Sequence, residues 1–156
     1  MSDSKFMKRA AALALEKMRA DHGGPFGAVI VRDGEIIAEG WNEVTSTNDP
    51  TAHAEIVAIR RACTALGVFN LQVCDIYTSC EPCPMCLGAI YWARLRRLYF
   101  ANTRYDAARI GFDDEFIYHE IAAEIDARSI PTRQMESAAA QQAFREWMER
   151  PDKVRY

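Results

Sequence analysis

Apolar residues in the first twenty positions recur at helical spacing. Phe6, Ala10, Leu13, Ala14 and Met18 share one stripe with charged residues between them, which predicts an amphipathic helix over Ser4 to Ala20. His22-Gly-Gly-Pro25 breaks it. Phe26 to Val31 is a short apolar run with β-branched residues and predicts a strand. Arg32-Asp-Gly-Glu35 is a hairpin turn, and Glu35 to Val44 returns as a second strand. Thr45 to Pro50 is a polar loop. Thr51 is expected to cap a helix running to Leu66, with Gly67 ending it. Val73 to Ser79 and Arg97 to Ala101 predict a third and a fourth strand. Between them lies a helix that starts at Pro84, is capped by Cys83, and runs to Arg94.

Beyond Phe100 the pattern loosens. Asn102 to Asp114 reads as loop with a helical turn, Glu115 to Glu124 as helix, Arg133 to Glu136 as a short edge strand, and Ala138 to Glu149 as helix. Pro151 then frees a tail ending at Tyr156. The order helix, hairpin, helix, strand, helix, strand predicts an α/β sandwich, one mixed sheet with helices on both faces. Its strand-to-helix steps put His53 and Cys83 at helix N-termini near strand ends, where such folds build sites. No repeat, linker or low-complexity stretch divides the 156 residues, which read as a single domain.

Composition narrows the functional classes. Apolar residues make up 49% and charged residues 26%, and 19 basic against 22 acidic residues leave a net charge of −3. That balance argues against general nucleic-acid or membrane binding. No apolar run reaches the length of a membrane span. Lys8 and Arg9 before an alanine- and leucine-rich run faintly imitate a signal peptide, but Glu16, Lys17 and Arg19 interrupt it and no cleavage pattern follows. Of five cysteines, three are clustered, which fits a reducing cytoplasm and a metal site better than disulfides.

Those three, Cys80, Cys83 and Cys86, are spaced C-x-x-C-x-x-C. Cys83 and Cys86 stand three apart at the mouth of one predicted helix, so they point the same way, and the positive end of the helix dipole favours their thiolates. Two thiolates need a further ligand to hold zinc. His53 supplies it from His-Ala-Glu at the start of another helix. H-x-E followed by P-C-x-x-C is the signature of zinc-dependent deaminases, in which one histidine and two cysteines hold the metal, a water takes the fourth position, and the glutamate, here Glu55, is the general acid/base. C-x-x-C alone is weak evidence; the pair of motifs is far more specific.

On these residues the chain resembles the cytidine deaminase-like superfamily, and within it the bacterial guanine deaminases of this small fold. The resemblance is carried by Gly23-Gly-Pro-Phe-Gly-Ala-Val29, Asn48-Asp-Pro-Thr-Ala-His-Ala-Glu55, Tyr77 to Arg94, Gly111-Phe-Asp-Asp114 and the terminal Tyr156. It implies a three-layer α/β/α sandwich with a five-stranded mixed sheet and one zinc per chain. It also implies a homodimer in which residues 137–156 are exchanged, so that the tail of one subunit closes the site of the other. The activity implied is hydrolysis of guanine to xanthine and ammonia in purine catabolism, with Glu55 moving protons and Asp114 as a second shuttle. Asn42 and Asp114 would hydrogen-bond the purine, with Phe26, Ala54 and Trp92 around it and Tyr156 arriving from the partner.

Blander readings stand beside these. A closed structural zinc site would need a fourth protein ligand. Cys80 is the residue at hand, yet at a strand end before Glu81-Pro82 it is expected to be a packed neutral thiol. Cys63, Cys74, Trp41 and Trp92 fit a core, Asn42 a strand end, and Asp113 and Asp114 a solvated loop; His22 and His119 lack partners at metal spacing. Adenosine deamination in tRNA shares both motifs, but here the segment after Phe100 is rich in Asp, Glu and Ala rather than basic. A pyrimidine or s-triazine deaminase and a zinc-stabilised interaction module are the remaining alternatives.

Overall fold

The structure is a computed structural model that describes residues 3–156. Its chain divides into two compact units, one running to Glu115 and the other Phe116–Tyr156. The first unit holds a sheet of order β2-β1-β3-β4, from β1 (Gly27–Arg32), β2 (Glu35–Trp41), β3 (Asp75–Cys80) and β4 (Arg97–Asn102). β1 pairs antiparallel with β2 and with β3, and β3 pairs parallel with β4. The hairpin turns on Asp33 and Gly34, both at positive φ (51° and 80°), the primed two-residue turn that Asp-Gly favours.

Alternation along the central strands sorts the helices into two layers. Ala28 and Ile30 of β1 and Ile76 of β3 face α3 (Ala54–Leu66) and α4 (Pro84–Trp92), packing with Ala54, Ala58, Ala62 and Ile90. Val29, Val31 and Tyr77 face the other way, onto Phe6 and Leu13 of α1 (Asp3–Arg19). The expected α/β/α layering is therefore present. Gly40 lets α3 approach: a Cβ there would overlap the carbonyl oxygen of Ala54, so only glycine lets the first turn of α3 lie on β2.

Several boundaries differ from the expectations. Residues 44–47, expected as strand end and loop, form α2 (Val44–Thr47), and β2 stops at Trp41. His53, not Thr51, is the N-cap of α3. The Thr51 hydroxyl and amide instead donate to Asp49 Oδ1, at 2.6 and 2.8 Å, in a local turn. Part of the loop expected over 102–114 is α5 (Arg104–Arg109), set by a capping box between Thr103 and Asp106.

In the second unit, α6 (Glu115–Ala122), which begins at the boundary, is followed by a 3₁₀ turn (Ile125–Ala127) and α7 (Ala138–Glu149). Ser137 caps α7 by accepting from Ala140 N, and Pro151 follows its end. Residues 133–136, expected as an edge strand, form none, so the sheet of the described residues has four strands rather than five. A strand needs a neighbour for its backbone groups, and this exposed tetrapeptide has no ladder.

Candidate active site and metal centre

The site is built where β3 and its following loop meet the mouths of two helices. His53 is the N-cap of α3 and Cys83 the N-cap of α4, both with extended backbone, and neither side chain caps its helix. Ser, Thr, Asp and Asn usually hold that position and spend their side chains on the helix amides. Here both side chains are left to each other. Pro84 starts α4 without an N–H to satisfy, and Cys86 follows within the first turn, fully buried.

His53 Nδ1 lies 3.5 Å from Cys83 Sγ and 3.5 Å from Cys86 Sγ, and the ligand atoms of the three lie within 4.8 Å of one another. Zinc held tetrahedrally, with sulfur at about 2.3 Å and nitrogen at about 2.0–2.1 Å, sets a sulfur–nitrogen separation of roughly 3.5 Å. The donor set and its spacing therefore fit zinc with three protein ligands. Without a metal the three groups share protons among themselves. Hydrogen bonds from Cys86 and His53 pull Cys83 down to about 4, and its sulfur raises the imidazole of His53. Cys86 is pushed up as the donor to that thiolate and by its burial. Cys80 is pushed up to about 11, first by burial, and its sulfur points to the Thr103 carbonyl at 3.8 Å. A neutral, packed thiol was the expectation for it, and it stands outside the ligand group.

Glu55 sits in the first turn of α3, 7% exposed. Burial raises its carboxyl above the ordinary glutamate value, and Oε1 lies 3.5 Å from Thr78 Oγ1, whose hydrogen goes to the Cys80 carbonyl at 3.0 Å. A buried carboxyl with a raised pKa beside a metal group is equipped to hold and release protons. Asp114 is half-buried and also raised, first by burial and then by the Cys83 thiolate, whose field reaches it.

Other expected residues fall at different depths. Ala54 is fully buried between His53 and Glu55. Asn42 is buried just past β2, and Glu43 N donates to the Ala52 carbonyl at 2.9 Å, tying that segment to the ligand loop. Phe26 precedes β1 and meets Phe112 edge-on at 4.9 Å. A cleft of about 360 Å³ runs from Phe26 past Cys80 and Asn102 to Ala107 and Ile110, but no metal-group residue lines it. Trp92 ends α4, whose nine residues carry it about 13 Å along the helix axis from Cys83, and it is 68% exposed. Tyr156 closes the second unit, 69% exposed. Thr78 and Phe112 had no expected role. Thr78 is a buried hydroxyl on a strand, and sequence spacing carries no signal for its contact with Glu55.

Residues 1–102 match the cytidine and deoxycytidylate deaminase zinc-binding region. The chain belongs to this deaminase family. It is 54% identical to the guanine deaminase of Bacillus subtilis over 156 residues, covering 100% of both chains. An X-ray structure of guanine deaminase from Bacillus subtilis matches with a TM-score of 0.97 at 54% identity, covering 100% of this chain and 99% of that one. A tRNA-specific adenosine deaminase of Haemophilus influenzae is 41% identical over 125 residues, covering 76% of this chain and 72% of that one. In this deaminase the zinc-binding region takes in His53, Cys83 and Cys86 together with Glu55.

Proposed function

We propose that the chain is a zinc-dependent guanine deaminase that hydrolyses guanine to xanthine and ammonia. The observation that carries this reading is the likeness to a guanine deaminase along the whole chain, past the end of the zinc-binding region at residue 102. His53, Cys83 and Cys86 hold one zinc, which when bound supplies a water polarised for attack. Glu55 takes the proton of the attacking water and passes protons to the purine ring nitrogen and to the departing amino group. Asp114 is a second proton carrier and a hydrogen-bond partner of the base. Asn42 binds the base, Phe26 forms an apolar wall, and Ala54 lies against it between His53 and Glu55.

The working form we assign is a homodimer in the cytoplasm. α7 supports the dimer. Phe144, Trp147 and Met148 fall at i, i+3 and i+4 and are 79%, 43% and 73% exposed, an apolar stripe that one chain leaves uncovered. Exchange of residues 137–156 between subunits would cover that stripe and bring Tyr156 to the partner's site. Trp92, a helix length from Cys83, serves as a wall only through a second subunit. Among the described residues no helix is long and apolar enough to cross a membrane. The test is ammonia release from guanine, adenine, cytosine and an adenosine-containing tRNA anticodon stem-loop. Guanine turned over alone or far faster than the rest is expected; release from the stem-loop and not from guanine would overturn the proposal.

A further inference from the structure

Asn42 is held more tightly than base binding requires. Its carboxamide oxygen accepts two backbone hydrogen bonds, from Val44 N at 3.1 Å and from Gly24 N at 3.3 Å. Val44 is a near neighbour, but Gly24 comes from the turn that follows α1. Both partners are donors. Flipping the carboxamide would set its NH₂ against two N–H groups, so the orientation of the amide is dictated by the backbone around it. The side chain is only 7% exposed, which makes an unpaired alternative costly.

Gly23 closes the seat. A Cβ there would overlap both the carbonyl and the carboxamide oxygen of Asn42, whereas a Cβ on Gly24 would press on the rings of Phe26 and Phe112 at 3.1–3.3 Å. The backbone of Asn42 is fixed from two sides as well. Its own N–H donates to the Phe26 carbonyl at 3.2 Å, and the next N–H donates to Ala52. The seated side chain therefore stands between the Gly23-Gly24 turn and the amide of Val44.

We infer that the Gly23-Gly24 turn is a specificity device that locks the carboxamide of Asn42, so that the site offers the base N–H donors and reads it through an acceptor atom, a ring nitrogen or a carbonyl oxygen. The inference rests on the base-binding role given to Asn42 above. A base that places an N–H at this point meets a donor that cannot turn away. Sites built on one fixed hydrogen-bonding group reject the wrong partner far more strongly than apolar pockets do. The glycines act through Asn42 and are positioning residues.

A double-mutant cycle tests the coupling. Gly23→Ala and Asn42→Ala are each expected to raise KM for guanine by about tenfold or more, with zinc content unchanged and kcat within about threefold. Together they should cost no more than the larger single effect, because the methyl group and the truncation disable the same contact. Penalties that multiply would overturn the inference. Asn42→Asp provides a second arm that does not depend on Gly23→Ala folding. The aspartate still accepts from Gly24 and Val44 but presents an acceptor in place of the donor. Its Tm should stay above that of Asn42→Ala, while kcat/KM should fall about 100-fold or more. Wild-type kcat/KM in this variant would overturn the inference. The cycle is run on whichever base the wild type deaminates, so failure of guanine as substrate is recorded separately from failure of the seat.

Discussion

The two units use the same helix chemistry to different ends. The first holds a packed core: Leu13, Val29, Ile30 and Ile76 are fully buried, and β3 is buried along its whole length. In Phe116–Tyr156 no residue is buried, although α7 has a proper N-cap and an apolar stripe. A helix of twelve residues is marginal on its own, and most helical stability in proteins comes from packing an apolar face. The contrast separates a unit that carries its own core and metal group from a segment whose apolar stripe is left exposed. The metal group and Glu55 lie in the first unit, where packing holds side chains in place.

The largest expected effect belongs to the first unit alone. Glu55→Gln keeps size and shape but cannot carry a proton, and turnover should fall by roughly 10⁴-fold or more while zinc stays bound. Elemental analysis of Cys80→Ala should likewise show full zinc, whereas Cys86→Ala should lose it. Near-normal turnover in the glutamine variant, or metal loss in Cys80→Ala with metal kept in Cys86→Ala, would break the site as described.

Core packing comes next. Leu13→Ala removes a fully buried side chain and should lower stability by about 2–5 kcal/mol in denaturant titrations, independent of protein concentration. Phe144→Ala, on the exposed stripe of α7, should instead make Tm depend more steeply on protein concentration, because the proposed dimer covers that stripe with a second chain. Equal, concentration-independent losses in both variants would erase the contrast between the units.

Deleting Val154 to Tyr156 should leave zinc content and Tm unchanged and lower kcat/KM for guanine by about tenfold or more, the loss of a closing group over the pocket. Mixing Glu55→Gln with the tail-deleted chain should restore activity in heterodimers, where one site has both an intact Glu55 and a donated tail. Full activity after truncation, or no rescue in demonstrated heterodimers, argues against exchange.

The smallest effect is electrostatic. Arg9 holds Glu39 with two hydrogen bonds of 2.6 and 2.8 Å, which lowers the glutamate's pKa. A lowered carboxylate contributes stability above its unfolded pKa and loses it as the pH falls through the folded one. Both side chains are about a third exposed, so the pair should be worth under about 1 kcal/mol in a double-mutant cycle, vanishing in acid. A coupling that survives full protonation of Glu39 would assign it to packing instead.

Local rules were enough to read much of the chain. The periodicity of α1, the Asp33-Gly34 turn, Gly67 ending α3, and Cys83-Pro84 opening α4 all depend on residues within one or two turns of each other. The metal group was legible for a related reason: Cys83 and Cys86 are neighbours on one helix, and His53 stands in a motif that pairs with theirs. Legible signals were also missed. Thr103-Arg-Tyr-Asp106 is a capping box, and it sets the start of α5, longer than the single helical turn expected in that loop.

What only the tertiary structure decided are the contacts between distant segments. The 3.5 Å spacing from His53 to both sulfurs depends on α3 and α4 docking on the same face of the sheet, which Gly40 allows. The hydroxyl of Thr78 reaches Glu55 only because β3 runs beneath α3. The orientation of the Asn42 amide was set by an N–H eighteen residues earlier. No strand formed at 133–136, because pairing needs a neighbouring strand and none is present there. Side-chain chemistry and short-range spacing determine which residues are able to react. Where their atoms meet depends on packing between elements far apart in the chain, and neither composition nor periodicity encodes that distance.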